Sequence, residues 1–133
     1  MAKDYGKILD KIAKDNASLN ENELRLQEAF EKLDSRLNVL QAGVRIEPYT
    51  IGKDGPCIGF RRFQDGWHIT TKLEGLAGLS SEIPALEADP STQVVLVNEV
   101  GTLLDKISKA IADKVKASAS SVKEAESLLD ALP

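Results

Sequence analysis

Residues 58–73 read Ile-Gly-Phe-Arg-Arg-Phe-Gln-Asp-Gly-Trp-His-Ile-Thr-Thr-Lys-Leu, and this stretch decides the fold class. Asp65-Gly66 is a strong signal for a two-residue hairpin turn, and the segments on both sides of it are rich in aromatic and β-branched residues. We therefore predict an antiparallel β-hairpin in which Gln64 pairs with Trp67.

The predicted hairpin has one apolar face and one polar face, as expected for a sheet that covers a core on one side and meets water on the other. The apolar face carries Ile58, Phe60, Trp67, Ile69 and Leu73. The opposite face carries Arg61, Phe63, His68 and Lys72.

A third strand is predicted within residues 44–51, before the hairpin. Pro48 lies inside it and lacks the N–H that a central strand needs, so this strand is expected at an edge of the sheet. The predicted β-meander thus spans residues 44–74 and has two or three strands. Residues 75–89 are expected to form a surface loop.

Long segments without helix breakers lie on both sides of the predicted sheet. Neither glycine nor proline occurs between Gly6 and Gly43, and after Pro90 only Gly101 interrupts the chain before Pro133. These segments predict one helix over 3–42 and another over 90–132, which begins with Asp89 as N-cap and Pro90 at the first helical position. We treat residues 1–133 as a single domain.

The first helix carries a heptad spacing that predicts a helix-helix seam. The seam residues are Leu26, Phe30, Leu33, Leu37 and Leu40. Ser18-Leu-Asn-Glu21 also fits a capping box, so the helix is either continuous or interrupted near residues 16–20.

The second helix has a comparable seam, which runs through Val97 and Val100 to Leu104, Ile107 and Ile111. An alternative takes residues 93–97, Gln-Val-Val-Leu-Val, as a buried strand that precedes a shorter helix.

The two predicted helices have similar lengths, and their polar interruptions coincide if they run antiparallel. In that alignment Glu23 lies near residue 109. We therefore predict an α+β fold whose helices pair as an antiparallel, coiled-coil-like rod. This order of elements resembles the plan of prefoldin β-type subunits in architecture. Since no motif matches, the resemblance supplies an analogy for function and does not predict membership of the family.

Composition excludes several classes of function. The net charge of −4 disfavours a protein that grips duplex DNA through many phosphates, and no apolar run is long enough to cross a membrane. The single cysteine is compatible with a cytoplasmic protein. In the predicted register Cys57 and His68 lie too far apart for a nucleophilic pair, and we expect no metal, cofactor or catalytic site.

The leading hypothesis for function is a non-enzymatic interaction or assembly module that self-associates through its helices, with protein partners unspecified. The alternative is an accessory protein that binds single-stranded nucleic acid on the sheet face of Arg61, Phe63, His68 and Lys72. We expect the acidic residues of the first helix, Asp34 among them, to lie on a solvated face.

Overall fold

The computed structural model describes residues 4–74 and 80–133, and its architecture is α+β, as predicted. Two long helices, α1 and α2, accompany a four-stranded antiparallel sheet in the order β1-β2-β3-β4. The elements are α1 (Tyr5–Val39), β1 (Ile46–Thr50), β2 (Cys57–Phe63), β3 (Gly66–Glu74), β4 (Ser80–Pro84), a short 3₁₀ helix (Ala85–Glu87) and α2 (Pro90–Ala131).

Both open questions about the helices are settled in favour of the longer helix. Helix α1 is continuous through residues 16–20, so the capping box there is not used. Residues 93–97 belong to α2, and the alternative strand is wrong. The Asp89 side chain accepts the Thr92 N–H at 2.8 Å, and this cap starts α2 before those residues are reached.

The prediction of two or three strands was wrong, because β4 lies within the segment that we expected to be a loop. It pairs antiparallel with β3 from Thr70↔Pro84 to Glu74↔Ser80. This short edge strand lacks the alternating aromatic and β-branched residues that identify the hairpin. Residues 75–79 of the predicted loop lie outside the described residues.

The hairpin register also differs from the prediction. Phe63 pairs with Gly66, and Arg62 pairs with Trp67, so Gln64 and Asp65 form the turn. Each residue of β3 pairs with a β2 residue two positions earlier than predicted. Because side chains alternate between the two faces of a strand, this shift leaves the same residues together on each face. Gly66 has a φ of 134°, which a residue with a side chain rarely adopts.

Strand β1 is an edge strand, as Pro48 predicted. Its pairing with β2 is irregular between Ile46↔Phe60 and Tyr49↔Ile58, where β1 has one more residue than β2. Pro48 lies within this bulge, where its missing N–H does not break the ladder.

The core lies between the apolar face of the sheet and the inner parts of both helices. Phe30 and Leu37 enter it from α1, and Leu96, Leu103 and Ile107 enter it from α2. Phe60 and Ile58 are fully buried beneath them. At about 25 cal/mol per Å² of buried apolar surface, such side chains supply most of the favourable free energy of folding.

Three members of the predicted seams lie outside this core. Leu40 ends α1 as its C-cap and is 66% exposed, and Leu104 and Ile111 are both 37% exposed. Leu103, which is not a member of the predicted seam, is fully buried. The buried stripe of α2 is therefore rotated by about one residue relative to a helix-helix seam, because α2 packs on a sheet.

The structure does not confirm the antiparallel rod. Glu23 shares a surface depression with Pro90 and Ser91 at the start of α2, whereas Lys109 is exposed. All described residues before Asn22 and all residues after Ala110 are exposed. The helices thus pack through their inner parts, and the outer parts are exposed, with Leu19 and Asn22 bordering the start of α2.

Candidate interaction surfaces

The first candidate surface is the outer half of α1, which we define as residues 5–22. Its large apolar side chains recur at helical spacing and are about half exposed or more. Ile12 is 50% exposed and Leu19 is 54% exposed. The members of this apolar stripe are Tyr5, Ile8, Leu9, Ile12 and Leu19.

The second candidate surface is the outer half of α2, defined as residues 111–132, where Leu132 is the C-cap. Val115 and Leu129 are 60% and 67% exposed. Its exposed large apolar side chains are Ile111, Val115, Val122, Leu128, Leu129 and Leu132. Two separate helical segments therefore present apolar stripes that the rest of the described chain leaves uncovered.

The third candidate surface is the outer face of the sheet, opposite the core. The Arg61 guanidinium lies 5.0 Å from the centre of the Phe63 ring, and the Phe63 and His68 rings meet edge to face at 5.6 Å. The structure therefore brings three of the four predicted residues together. Lys72 lies on the same face, exposed, and pairs in register with Glu82 of β4.

Glu82 was missed by the sequence analysis because β4 was missed. Its side chain is 8% exposed and accepts a hydrogen bond of 2.7 Å from the Thr70 hydroxyl. Arg45 and Arg61 both approach its carboxylate to 3.7 Å. Glu82 therefore neutralises part of the positive charge on which a nucleic-acid interface would depend.

His68 is held between two carboxylates. Its Nδ1 lies 2.8 Å from Asp34 Oδ2, and its Nε2 lies 2.9 Å from Asp65 Oδ1. Although His68 lies on the face predicted to meet water, its side chain is only 12% exposed. The contact joins α1 to the tip of the β2-β3 hairpin.

Burial and hydrogen bonding act in opposite directions on this cluster. Burial lowers the pKa of His68, but the hydrogen bonds to Asp34 and Asp65 outweigh it and the net pKa is raised. Burial raises the pKa of Asp34 despite its contacts with Ile69 and His68. The hydrogen bond to His68 lowers the pKa of Asp65.

Asp34 is buried, which corrects our expectation that it lies on the solvated face of α1. Besides His68, it accepts the backbone N–H of Ile69 at 2.9 Å. Its position gave one usable signal: it directly follows Leu33 of the predicted seam and lies one helical turn before Asn38. Residues four apart lie on the same side of a helix, so Asp34 and Asn38 together border the buried stripe that contains Leu33 and Leu37.

A second polar contact joins β1 to α2. The Tyr49 hydroxyl donates to Glu99 Oε1 at 3.1 Å, and Lys106 Nζ lies 4.7 Å from the centre of the Tyr49 ring. Burial and the Glu99 carboxylate raise the pKa of Tyr49 to about 12. The phenol therefore stays protonated and can donate at physiological pH.

The Cys-His pair remains separated in the observed register. Cys57 lies beside the Thr50 hydroxyl at 3.7 Å, and His68 pairs with Arg61, four residues farther along β2. Both nitrogens of His68 are engaged by carboxylates. Among residues 4–74 and 80–133, no three histidine, cysteine or acidic side chains are grouped in a way that could hold a metal ion.

No protein-family model, curated protein or solved structure gives a significant match to this chain. Within the part of the chain that the structure describes, neither helix contains a segment long and apolar enough to cross a membrane.

Proposed function

We propose that this protein is a non-enzymatic assembly module that associates with other copies of itself through the outer halves of its helices. One observation carries the proposal: both outer halves expose large apolar side chains at helical spacing. Covering such stripes removes apolar surface from water, and the free energy gained is proportional to the area covered.

The helical state of these segments supports the same proposal. An isolated helix of this length is marginal in water, since most helices in proteins are stabilised by packing of an apolar face. Within the described chain, nothing packs against residues 5–22 on one side or 111–132 on the other beyond the depression near Leu19. Association would supply the missing tertiary contacts.

The position of Glu82 disfavours nucleic-acid binding, because its carboxylate faces Arg45 and Arg61 on the outer sheet face. That carboxylate is largely buried between the two cations that an incoming phosphate would need to reach. A binding phosphate would have to compete with a preformed contact.

The test is sedimentation of the full chain over a wide range of protein concentration. We expect a mass above that of the monomer, and Val122→Asp should lower it because an unpaired charge enters the covered stripe. Ser120→Asp is the matched control, since it adds the same charge two residues away on the opposite side of the helix. Trp67 fluorescence should be unchanged in both variants, because neither site touches the core.

A chain that sediments as a monomer at every concentration would overturn the proposal. So would equal effects of Val122→Asp and Ser120→Asp on the mass, since the apolar stripe would then have no special part in association.

A further inference from the structure

We infer that the outer half of α2 pairs antiparallel with the same segment of a second copy of this chain. This inference rests on the proposed function and adds to it the interface, the occupant and the orientation. Three features of residues 111–132 carry it: an unbroken heptad spacing, a near-symmetric order of side-chain sizes and a polarised charge distribution.

The heptad spacing of the outer half of α2 alternates four and three residues without interruption. It runs through Ile111, Val115, Ser118, Val122, Ala125, Leu129 and Leu132, all of them exposed. This is the spacing that keeps one stripe of a helix facing a partner helix. Ser118 suits such a stripe because its hydroxyl bonds to the Val115 carbonyl oxygen at 3.0 Å and needs no partner from across the interface.

The sizes of these side chains are nearly symmetric about Val122. Val115 and Leu129 lie seven residues before and after it, and the small residues Ser118 and Ala125 lie on either side of it. An antiparallel pair centred on Val122 therefore places Val115 opposite Leu129 of the second copy, and it places Ser118 within one residue of the level of Ala125. Small residues then meet small residues, which allows the two backbones to approach closely at the centre.

Charge distinguishes the antiparallel pair from a parallel one. In the antiparallel pair residues 111–121 of one copy face residues 123–133 of the other; the first segment contains two lysines and one aspartate, and the second contains one lysine and three acidic residues. No charged residue lies between these two segments. Antiparallel pairing places the basic segment of each copy against the acidic segment of the other, and parallel pairing places like charges together.

The charge distribution favours the outer half of α2 over that of α1 as the interface. Residues 4–15 contain three acidic and three basic side chains that are interspersed, so this segment has no charged end to complement. Its stripe is also broken by the charged Asp15 beside Asn16, whereas the stripe of α2 contains no charged residue. An antiparallel α2 pair spans about 33 Å, the length of 22 helical residues.

Single cysteines test the orientation directly, in the full chain with Cys57→Ser as background. We expect Val122→Cys to form an intermolecular disulfide efficiently, because residue 122 meets its own copy at the two-fold axis. Val115→Cys and Leu129→Cys should each crosslink poorly alone and efficiently when mixed. Sedimentation of the same samples under reducing conditions reports separately whether the chain associates at all.

Each other outcome overturns the inference in a recognisable way. Self-crosslinking at all three positions means parallel pairing, and an associating chain that crosslinks at none of them uses another interface, such as the outer half of α1. Parallel pairing leaves the proposed function standing, whereas an interface that excludes α2 would also make Val122→Asp and Ser120→Asp equivalent in their effect on the mass and so overturn it. A chain that sediments as a monomer overturns the proposed function as well.

Charge reversal provides a second, independent readout. Glu124→Lys with Glu126→Lys makes both segments basic, and we expect it to weaken self-association about tenfold or more. Lys114→Glu with Lys116→Glu should weaken it similarly, and mixing the two variants should restore affinity. Association of the wild-type chain should weaken with added salt; strengthening with salt would contradict the antiparallel arrangement.

Discussion

The side chain of Asn38 on α1 forms two hydrogen bonds with the backbone of Trp67 on β3. Asn38 Oδ1 accepts the Trp67 N–H at 2.9 Å, and Asn38 Nδ2 donates to the Trp67 carbonyl oxygen at 2.8 Å. A neighbouring strand would form the same pair of bonds. One helical turn earlier, Asp34 accepts the Ile69 N–H. Side chains of α1 thus satisfy the backbone groups at the edge of β3 before Thr70, and from Thr70 onward β4 pairs with that edge.

Removing the Asn38 amide should weaken the attachment of α1 to the sheet. We expect Asn38→Ala to lower the free energy of unfolding by about 1–2 kcal/mol, because water can reach the exposed backbone groups of Trp67 and offset part of the loss. Urea denaturation measures the change. The control is Asn98→Ala, whose amide donates to the Val94 carbonyl within its own helix. Equal losses in the two variants would contradict the edge-completing role.

Asp34→Ala should cost more, because Asp34 is buried and serves two donors. The substitution leaves the Ile69 N–H and the His68 ring without their acceptor, and we expect a loss of about 2–4 kcal/mol. Glu31→Ala is the control on the same helix: Glu31 is exposed, and its replacement should change stability by less than about 0.5 kcal/mol. A loss below about 1 kcal/mol for Asp34→Ala would show that the buried carboxylate does not hold the helix to the strand.

Stability should depend on pH through His68. A neutral imidazole has one N–H, so it can donate to Asp34 or to Asp65 but not to both, whereas the protonated ring donates to both. Arg61, which pairs with His68 across the hairpin, is the cation nearest in register, and it contacts Phe63 and Glu82. The carboxylates of Asp34 and Asp65 therefore have the largest effect on the charge of the His68 ring, and the folded state favours its protonated form.

The sign of the effect follows from the raised pKa of His68. Its contribution is fully present below the unfolded pKa of about 6.5 and is lost as the pH rises through the higher pKa of the folded state. We expect the free energy of unfolding to fall over that interval in the wild-type chain and to fall less in His68→Gln. His68 is the only histidine, so its ring resonances give the folded pKa directly by NMR titration. A folded pKa below 6.5 would contradict this prediction.

The elements with strong local signals were predictable from sequence. Asp65-Gly66 located the hairpin, and Asp89-Pro90 located the start of α2, because a turn or a cap is determined by a few adjacent residues. Although the predicted register was wrong, the residues on each face of the hairpin were predicted correctly. Pro48 identified β1 as an edge strand by the same kind of local chemistry.

The remaining features depend on contacts between distant segments. β4 is a strand because β3 offers it an open edge, and its own residues, Ser-Ser-Glu-Ile-Pro, carry no strand periodicity. Asp34 looks like an ordinary charged helix residue until the edge of β3 lies against it. The heptad seams likewise predicted a helix partner, whereas a sheet covers the inner parts of both helices and selects Leu103 over Leu104.

Two glycines should respond in opposite directions to the same substitution. A Cβ at Gly59 would lie 2.9 Å from the Ile46 carbonyl oxygen and 3.0 Å from both the Pro48 nitrogen and the Thr70 hydroxyl. Two of these three atoms belong to the backbone of β1 at its bulge, so they cannot rotate away. We expect Gly59→Ala to lower the free energy of unfolding by about 1–3 kcal/mol through overpacking.

At Gly101 the same methyl group would meet nothing within 4 Å. This residue lies in the interior of α2 and is exposed, so Gly101→Ala gains helix propensity without a steric cost and should raise the free energy of unfolding by about 1 kcal/mol. Urea titrations of both variants beside the wild-type chain measure the two shifts. A neutral or stabilising Gly59→Ala would mean that β1 does not approach β2 as closely as the bulge requires, whereas a destabilising Gly101→Ala would mean that this surface of α2 is covered in the associated protein.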